Sequence, residues 1–127
     1  MKPIFLLDIF VRGTRFNTKR GDIERYLELK SNHTAPVTFE LEPSNTFDPH
    51  AVIVFAHFED TAGTVHRVRI GYIPKGLYLV KNLLHQNANL RASLCHIDLT
   101  SWNSDPFAIR LELLVPRVEQ PEPFATA

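Results

Sequence analysis

Short runs of branched and aromatic residues recur along the chain, several of them with apolar and polar side chains in alternation. Such runs are typical of β-strands that bury one face. They predict strands at residues 4–11, 37–42, 51–58, 64–73, 90–100 and 107–115. Segments rich in Gly, Pro, Asn, Asp and Ser separate the strands and predict polar loops, among them 14–18 and 43–49.

Two segments depart from the strand pattern. Residues 76–87 have a spacing of apolar side chains that predicts an amphipathic helix. Residues 22–30 are short and mixed, and fit either one or two helical turns or a distorted strand. We therefore predict a mainly β fold, a small OB-like, six-stranded and partly closed β-barrel with one or two short helices. Partial closure is expected because an open sheet leaves its edge strands unpaired.

The length and composition indicate one domain. The chain has 127 residues, of which 44% are hydrophobic and 22% charged, close to ordinary globular usage. We expect a single domain over residues 1–116 and a flexible C-terminal tail over 117–127, where proline recurs.

Charge and cysteine content narrow the function classes. Lys and Arg number 14 and Asp and Glu number 14, so a wholly basic nucleic-acid binder is excluded, whereas a local basic patch is not. Cys95 is the one cysteine, which excludes an intramolecular disulfide. Neither a signal-peptide core nor an apolar run of the ~20 residues that span a bilayer occurs. We expect a cytoplasmic protein that does not act at membranes.

The sequence contains no motif that predicts catalysis. A nucleophile motif, a phosphate loop and paired catalytic carboxylates are all missing from it. The six histidines have none of the short spacings of metal ligands. We therefore expect a protein that is not an enzyme and that holds no cofactor and no metal.

Basic and aromatic residues alternate early in the chain. Four basic residues and Phe16 fall within nine positions without an acidic residue; the basic residues are Arg12, Arg15, Lys19 and Arg20. Cations neutralise phosphates, and a ring face stacks on a base for roughly 1–3 kcal/mol. The segment therefore fits binding of a single strand, and the alternative is a solvated basic loop with Phe16 in the core.

A second basic group comes later in the chain and comprises Arg67, Arg69, Lys75 and Lys81. Positions two apart on a strand point to the same face, so Arg67 and Arg69 share one. The group would extend a strand-binding groove. The alternative, which we favour more for Arg67 and Arg69 than for Lys75, is an exposed barrel wall.

Three segments resemble the HIRAN family, named after a domain of certain replication-fork-remodelling ATPases. They are Gly-Thr-Arg-Phe at 13–16, Leu-Glu-Pro-Ser-Asn-Thr-Phe-Asp-Pro-His-Ala-Val-Ile-Val at 41–54, and Ile-Gly-Tyr-Ile-Pro-Lys at 70–75. Their order and spacing match across more than half of the chain. The resemblance implies an OB-like barrel that holds the 3′ end of a single DNA strand.

The resemblance also implies roles for individual residues. Phe16 and Phe47 would sandwich the terminal base, and Asp48 would accept a hydrogen bond from the 3′-hydroxyl. The other residues of the implied nucleic-acid-binding set are Arg15 and Lys75 as phosphate holders, Tyr72 beside them, Asn17 directly after the first segment and Asn45 within the second. Asn17 stands where well-studied members have a second tyrosine, and Phe47 replaces a tyrosine and so lacks its hydroxyl.

Asp48 has two interpretations from its chemistry alone. An ionised carboxylate only accepts hydrogen bonds, so it suits a sugar hydroxyl and opposes a phosphate. An Asp before Pro also commonly caps a turn. The two roles are compatible, and the sequence leaves both open.

The functional prediction is a non-catalytic module that binds single-stranded DNA and recognises its 3′-hydroxyl end. It would act in DNA repair or replication, or as an accessory to a nucleic-acid-processing machine. The alternative is a protein-interaction adapter, or an inhibitor or accessory factor of a nuclease or helicase, with weak or no DNA binding. Neutral net charge and the missing aromatic at Asn17 favour that alternative.

Overall fold

The computed structural model describes residues 2–86 and 89–115. Six strands follow the chain in the order β1 (Lys2–Phe10), β2 (Pro36–Leu41), β3 (Val52–Glu59), β4 (Val65–Tyr72), β5 (Leu90–Ile97) and β6 (Phe107–Val115). The α-helices are α1 (Thr14–Asn17), α2 (Arg20–Leu27) and α3 (Tyr78–His85), and 3₁₀ turns lie at Lys30–Thr34 and Leu99–Ser101. The predicted domain end at 116 and the predicted tail at 117–127 lie outside the described residues.

The strands form one antiparallel sheet in the order β1-β6-β5-β2-β3-β4. The β2–β5 ladder is the shortest and pairs Pro36 with Ser93 and Val37 with Ala92. No ladder in the described chain closes the sheet, but Arg12, just beyond β1, forms an isolated bridge with Tyr72 of β4. The mainly β, six-stranded fold predicted from the sequence is confirmed, with the two edges joined at this bridge.

The core lies between the curved sheet and α2. Alternate residues of β3 supply its centre, and Val52, Val54, Ala56 and Phe58 are all fully buried. The ring of Tyr26 on α2 stacks on Phe58, with 5.1 Å between ring centroids. A helix packed in this way covers apolar surface that a sheet alone would leave in water.

The structure has three short α-helices where the sequence predicts one or two. Residues 14–17, predicted to be loop, form α1, and α2 (Arg20–Leu27) begins two residues before the ambiguous segment 22–30 and includes its first six residues. Gly13 precedes α1 with a φ of 73°, and the side-chain amide of Asn17 donates to its carbonyl oxygen over 2.7 Å. A four-residue helix has too few positions for a periodic pattern, so the sequence signal is absent.

The predicted strand at 90–100 ends early, at Ile97. Asp98 accepts a hydrogen bond from the backbone N–H of Thr100 and caps the 3₁₀ turn that follows. Side-chain capping by Asp competes with a strand ladder for the backbone donors. The chain therefore turns three residues before the predicted end.

Gly71 permits the close approach of β4 and the segment after β1. Its φ is 149°, and a Cβ placed there would lie 2.6 Å from Cγ1 of Val11 and closer still to the carbonyl oxygen of Arg12. Glycine alone fits such a position. The Ile-Gly-Tyr segment thus brings the two edges of the sheet together next to Tyr72.

Candidate nucleic-acid interface

A cavity of about 490 Å³ lies beside the bridge that joins the sheet edges. The loop between β2 and β3 forms one wall, and the end of β4 with the turn before α3 forms the other. Its lining residues are Arg12, Asn45, Phe47, Asp48, Ala51, Tyr72, Ile73, Pro74 and Lys75. The volume is within the range of small-ligand sites, roughly 300–1,000 Å³.

Asn45 organises the loop that carries Phe47 and Asp48. Its side-chain oxygen accepts hydrogen bonds from the backbone N–H groups of Phe47 and Asp48, at 2.9 and 3.0 Å. Its amide nitrogen donates to Glu42 over 2.7 Å. With the loop held in this way, the ring of Phe47 projects into solvent and is 93% exposed. An exposed ring on an ordered loop can stack on a base without a large change in structure.

Asp48 uses both carboxylate oxygens. Oδ1 accepts a hydrogen bond from the backbone N–H of His50, and Oδ2 accepts one from Nζ of Lys81, each over 2.9 Å. The hydrogen bond from Lys81, with that from His50, holds the pKa of Asp48 below its ordinary value, so the carboxylate is ionised at neutral pH. The turn-capping role is therefore present. A carboxylate has about four acceptor sites, which leaves capacity for a further donor.

Tyr72 belongs to a hydrogen-bonded network behind the cavity. Its hydroxyl donates to Oε1 of Glu42 over 2.9 Å, and the guanidinium of Arg69 donates to the same hydroxyl. Burial, followed by the hydrogen bond to Glu42, raises the pKa of Tyr72. Because Asn45 donates to the same Glu42 oxygen, the network ties the β4 end to the β2–β3 loop.

The three predicted residues of α1 lie apart from the cavity lining. Phe16 is 78% exposed, which excludes the alternative that it belongs to the core. The guanidinium of Arg15 lies over its ring, 4.6 Å from the centroid. Asn17 accepts a hydrogen bond from Nε of Arg69 over 2.7 Å, so α1 is attached to the Tyr72 network through Arg69.

Most arginines near the interface are neutralised by a carboxylate. Arg12 pairs with Asp105, and Arg67 pairs with Glu40 over 2.7 Å while lying 3.7 Å from the ring centre of Phe55. Arg67 therefore fits the barrel-wall interpretation. Within residues 2–86 and 89–115, by contrast, Arg15 and Lys75 form no salt bridge. Both are exposed, and their charges are available to an anionic ligand.

Five of the eight predicted site residues meet at one cavity, namely Asn45, Phe47, Asp48, Tyr72 and Lys75. Sequence patterns did not predict the roles of the charged residues behind these five. Lys81 was predicted to extend a basic groove, which is wrong, because it is 2% exposed. The sequence does contain an indication of this burial. Lys81 lies four residues after Leu77 and three before Leu84, and therefore on the apolar face of α3.

Among the residues that the structure describes, no three His, Cys, Asp or Glu side chains are grouped so that they could hold a metal ion. No helix in the same part of the chain is long and apolar enough to cross a membrane.

The fold and the cavity define a small OB-like β domain with a ligand-sized site where its sheet edges meet. Comparison with protein-family models and with curated proteins finds no match. Among solved structures, the chain is similar to the HIRAN domain of human HLTF, with 16% identity and a TM-score of 0.55 over 84% of this chain and 73% of that one. It is also similar to a Lactobacillus plantarum protein, with 21% identity and a TM-score of 0.53 over 84% of this chain and 94% of that one. The chain therefore has the fold of the HIRAN domain.

Proposed function

We propose that the protein is a non-catalytic module that binds single-stranded DNA and recognises its 3′-hydroxyl end. The observation that carries the proposal is the cavity in which exposed Phe47 stands beside Asp48 and Lys75. A ring face for a base, an acceptor for a hydroxyl and a cation for a phosphate are the three groups that a strand end requires. The HIRAN fold and the three HIRAN-like segments support the same function.

Helix α1 would contribute a second stacking surface. Phe16 is exposed, and Arg15 lies against its ring with a charge that no salt bridge neutralises in the described chain. An aromatic ring with an adjoining cation suits a nucleotide, which presents both a base and a phosphate. The Asn17–Arg69 hydrogen bond would hold this surface in place relative to the cavity.

The protein would act in DNA repair or replication, or as an accessory of a nucleic-acid-processing machine. The protein would bind and present the strand end and would not catalyse a reaction on it. The cytoplasmic location expected from the sequence stays a prediction.

The test is the affinity of the full chain for short oligothymidine strands, measured by fluorescence anisotropy. Strands with a 3′-hydroxyl should bind more tightly than strands with a 3′-phosphate or a 2′,3′-dideoxy end. Affinity should also fall as salt rises, because phosphate contacts release counterions. Equal affinity for all three ends would contradict end recognition, and no binding at low salt would contradict the function as a whole.

The second candidate function is a protein-interaction adapter, including an accessory factor or inhibitor of a helicase or nuclease. Leu6 and Phe10 lie on the same face of β1 and are 60% and 54% exposed. Neighbouring exposed apolar side chains are typical of protein interfaces. A stoichiometric partner that stays bound after nuclease treatment, together with no binding of oligonucleotides, would favour this function.

A further inference from the structure

Lys81 is a buried cation that lies next to the cavity without lining it. Its side chain is 2% exposed, whereas that of its partner Asp48 is 21% exposed. Burying an ammonium group is unfavourable unless a carboxylate pairs with it. Asp48 provides that carboxylate, 33 positions earlier in the chain.

The pair determines the orientation of the Asp48 carboxylate. Lys81 donates to Oδ2 from α3, and the backbone N–H of His50 donates to Oδ1 from the loop. Two donors from two different elements restrict rotation of the carboxylate more than either donor alone. The acceptor sites that stay open then have a defined direction, which a hydroxyl reader requires.

The pair also determines the charge at the cavity wall. An unneutralised Asp48 would repel the phosphate that adjoins a strand's terminal sugar, since like charges at short range disfavour binding. With Lys81 beneath it, the carboxylate keeps its acceptor sites while the pair has no net charge. The remaining charged groups of the lining are basic: Arg12, which pairs with Asp105, and Lys75, which forms no salt bridge in the described chain.

We propose that Lys81 is a positioning residue that determines end specificity, because it orients Asp48 and cancels its charge, so that Asp48 can accept a hydrogen bond from a terminal hydroxyl without repelling the neighbouring phosphate. This inference rests on the proposed function. It assigns to a residue outside the cavity control over the end specificity of binding.

A double-mutant cycle tests the inference with four full-length proteins: wild type, Lys81→Met, Asp48→Asn and the double variant. Lys81→Met removes the charge at similar volume and leaves Asp48 partly hydrated. We expect it to bind 3′-hydroxyl strands about tenfold more weakly, comparable to the loss of one charge-assisted hydrogen bond. The loss should shrink at high salt, because screening weakens the repulsion.

The double variant should regain affinity relative to Lys81→Met, because the repelling charge is gone, yet show no preference for a hydroxyl over a dideoxy end. The single variant Asp48→Asn leaves the Lys81 cation uncompensated beneath the wall. It should bind dideoxy strands more tightly than the double variant does, with a steeper dependence on salt.

The outcomes separate the inference from the proposed function. Wild-type binding with a hydroxyl preference that Lys81→Met leaves unchanged would overturn the role of Lys81 and retain the function. A purely structural role would lower the melting temperature of Lys81→Met without affinity recovery in the double variant. If Lys81→Met does not fold, equal binding of dideoxy strands by Asp48→Asn and the double variant would still overturn the inference. Absence of wild-type binding would contradict the proposed function itself.

Discussion

Arg12 and Tyr72 exchange two backbone hydrogen bonds, each 2.9 Å long, and so join the two edges of the sheet. Both residues also line the candidate cavity. The contact that joins the two edges of the sheet therefore also forms part of the cavity lining. Gly71 makes the approach possible, because any side chain there would overlap Arg12 and Val11.

Replacing Gly71 with alanine should destabilise the protein by roughly 1–3 kcal/mol, because the new Cβ meets backbone atoms at a strained φ. Urea unfolding followed by circular dichroism measures the change in the free energy of unfolding. Gly21→Ala is the matched control, since it lies in α2 with open space around it, and alanine there should stabilise by about 0.5–1 kcal/mol. Equal stability of the two variants would mean that the bridge is not a tight contact.

Replacing Phe47 or Phe16 with alanine should weaken single-strand binding by about 1–3 kcal/mol each if both rings stack on bases. Stability should change little, because both rings are largely exposed. Anisotropy titrations give the affinities, and thermal melts give the stabilities.

Leu6→Ala serves as the control for the two phenylalanines, as it removes an exposed apolar side chain from β1. Its binding should equal that of the wild type. If Phe16→Ala binds normally while Phe47→Ala does not, stacking is confined to the cavity, and the sandwich implied by the family resemblance is wrong.

Replacing Arg69 with methionine should detach α1 from the rest of the site. Arg69 donates to Asn17 and to the Tyr72 hydroxyl, and also pairs with Glu42 at 3.5 Å. Without these contacts the short helix should open more often. Hydrogen exchange should therefore be faster at the Thr18 amide, which donates to the Thr14 carbonyl over 3.1 Å.

Arg67→Met is the control for Arg69, because it removes a neighbouring strand arginine whose partners are Glu40 and Phe55. Exchange at Thr18 should keep its wild-type rate in this variant. Unchanged exchange in Arg69→Met would show that the contacts within α1 suffice to hold it.

Acid should destabilise the hairpin between β3 and β4 through Asp60. The hydrogen bond from the His66 ring, followed by the backbone N–H groups of Thr64 and Ala62, holds the pKa of Asp60 below its ordinary value of 3.8. A carboxyl group with a lowered folded pKa stabilises the fold above its unfolded pKa, and this contribution is lost as pH falls through the folded value.

Unfolding measured at a series of pH values below about 5 should therefore show stability falling with pH, and Asp60→Asn should make the fall shallower. NMR titration of the Asp60 carboxyl carbon checks the direction of its pKa directly. An ordinary or raised pKa would contradict the hydrogen-bonded geometry of the turn.

The sequence by itself determined the strands and the loop chemistry. Alternating apolar residues are a local signal, and for this reason β2 and β3 could be placed within one residue of their observed starts. The HIRAN-like segments at 41–54 and 70–75 likewise contain most of the cavity lining, because they cover the loop between β2 and β3 and the end of β4 with the turn that follows it. Helix α1 escaped prediction because its four residues are too few for periodicity.

Only the tertiary structure decided which charges are free and which are engaged. Lys81 and Asp48 are 33 positions apart, and Asn17 and Arg69 are 52 apart. Such pairs form when packing brings distant elements together, which no local pattern encodes. For Lys81, burial of the ammonium group makes the pairing with a carboxylate necessary. The cations that the sequence grouped as one basic set are therefore divided into a buried partner of Asp48, neutralised wall residues and the exposed Lys75 of the cavity.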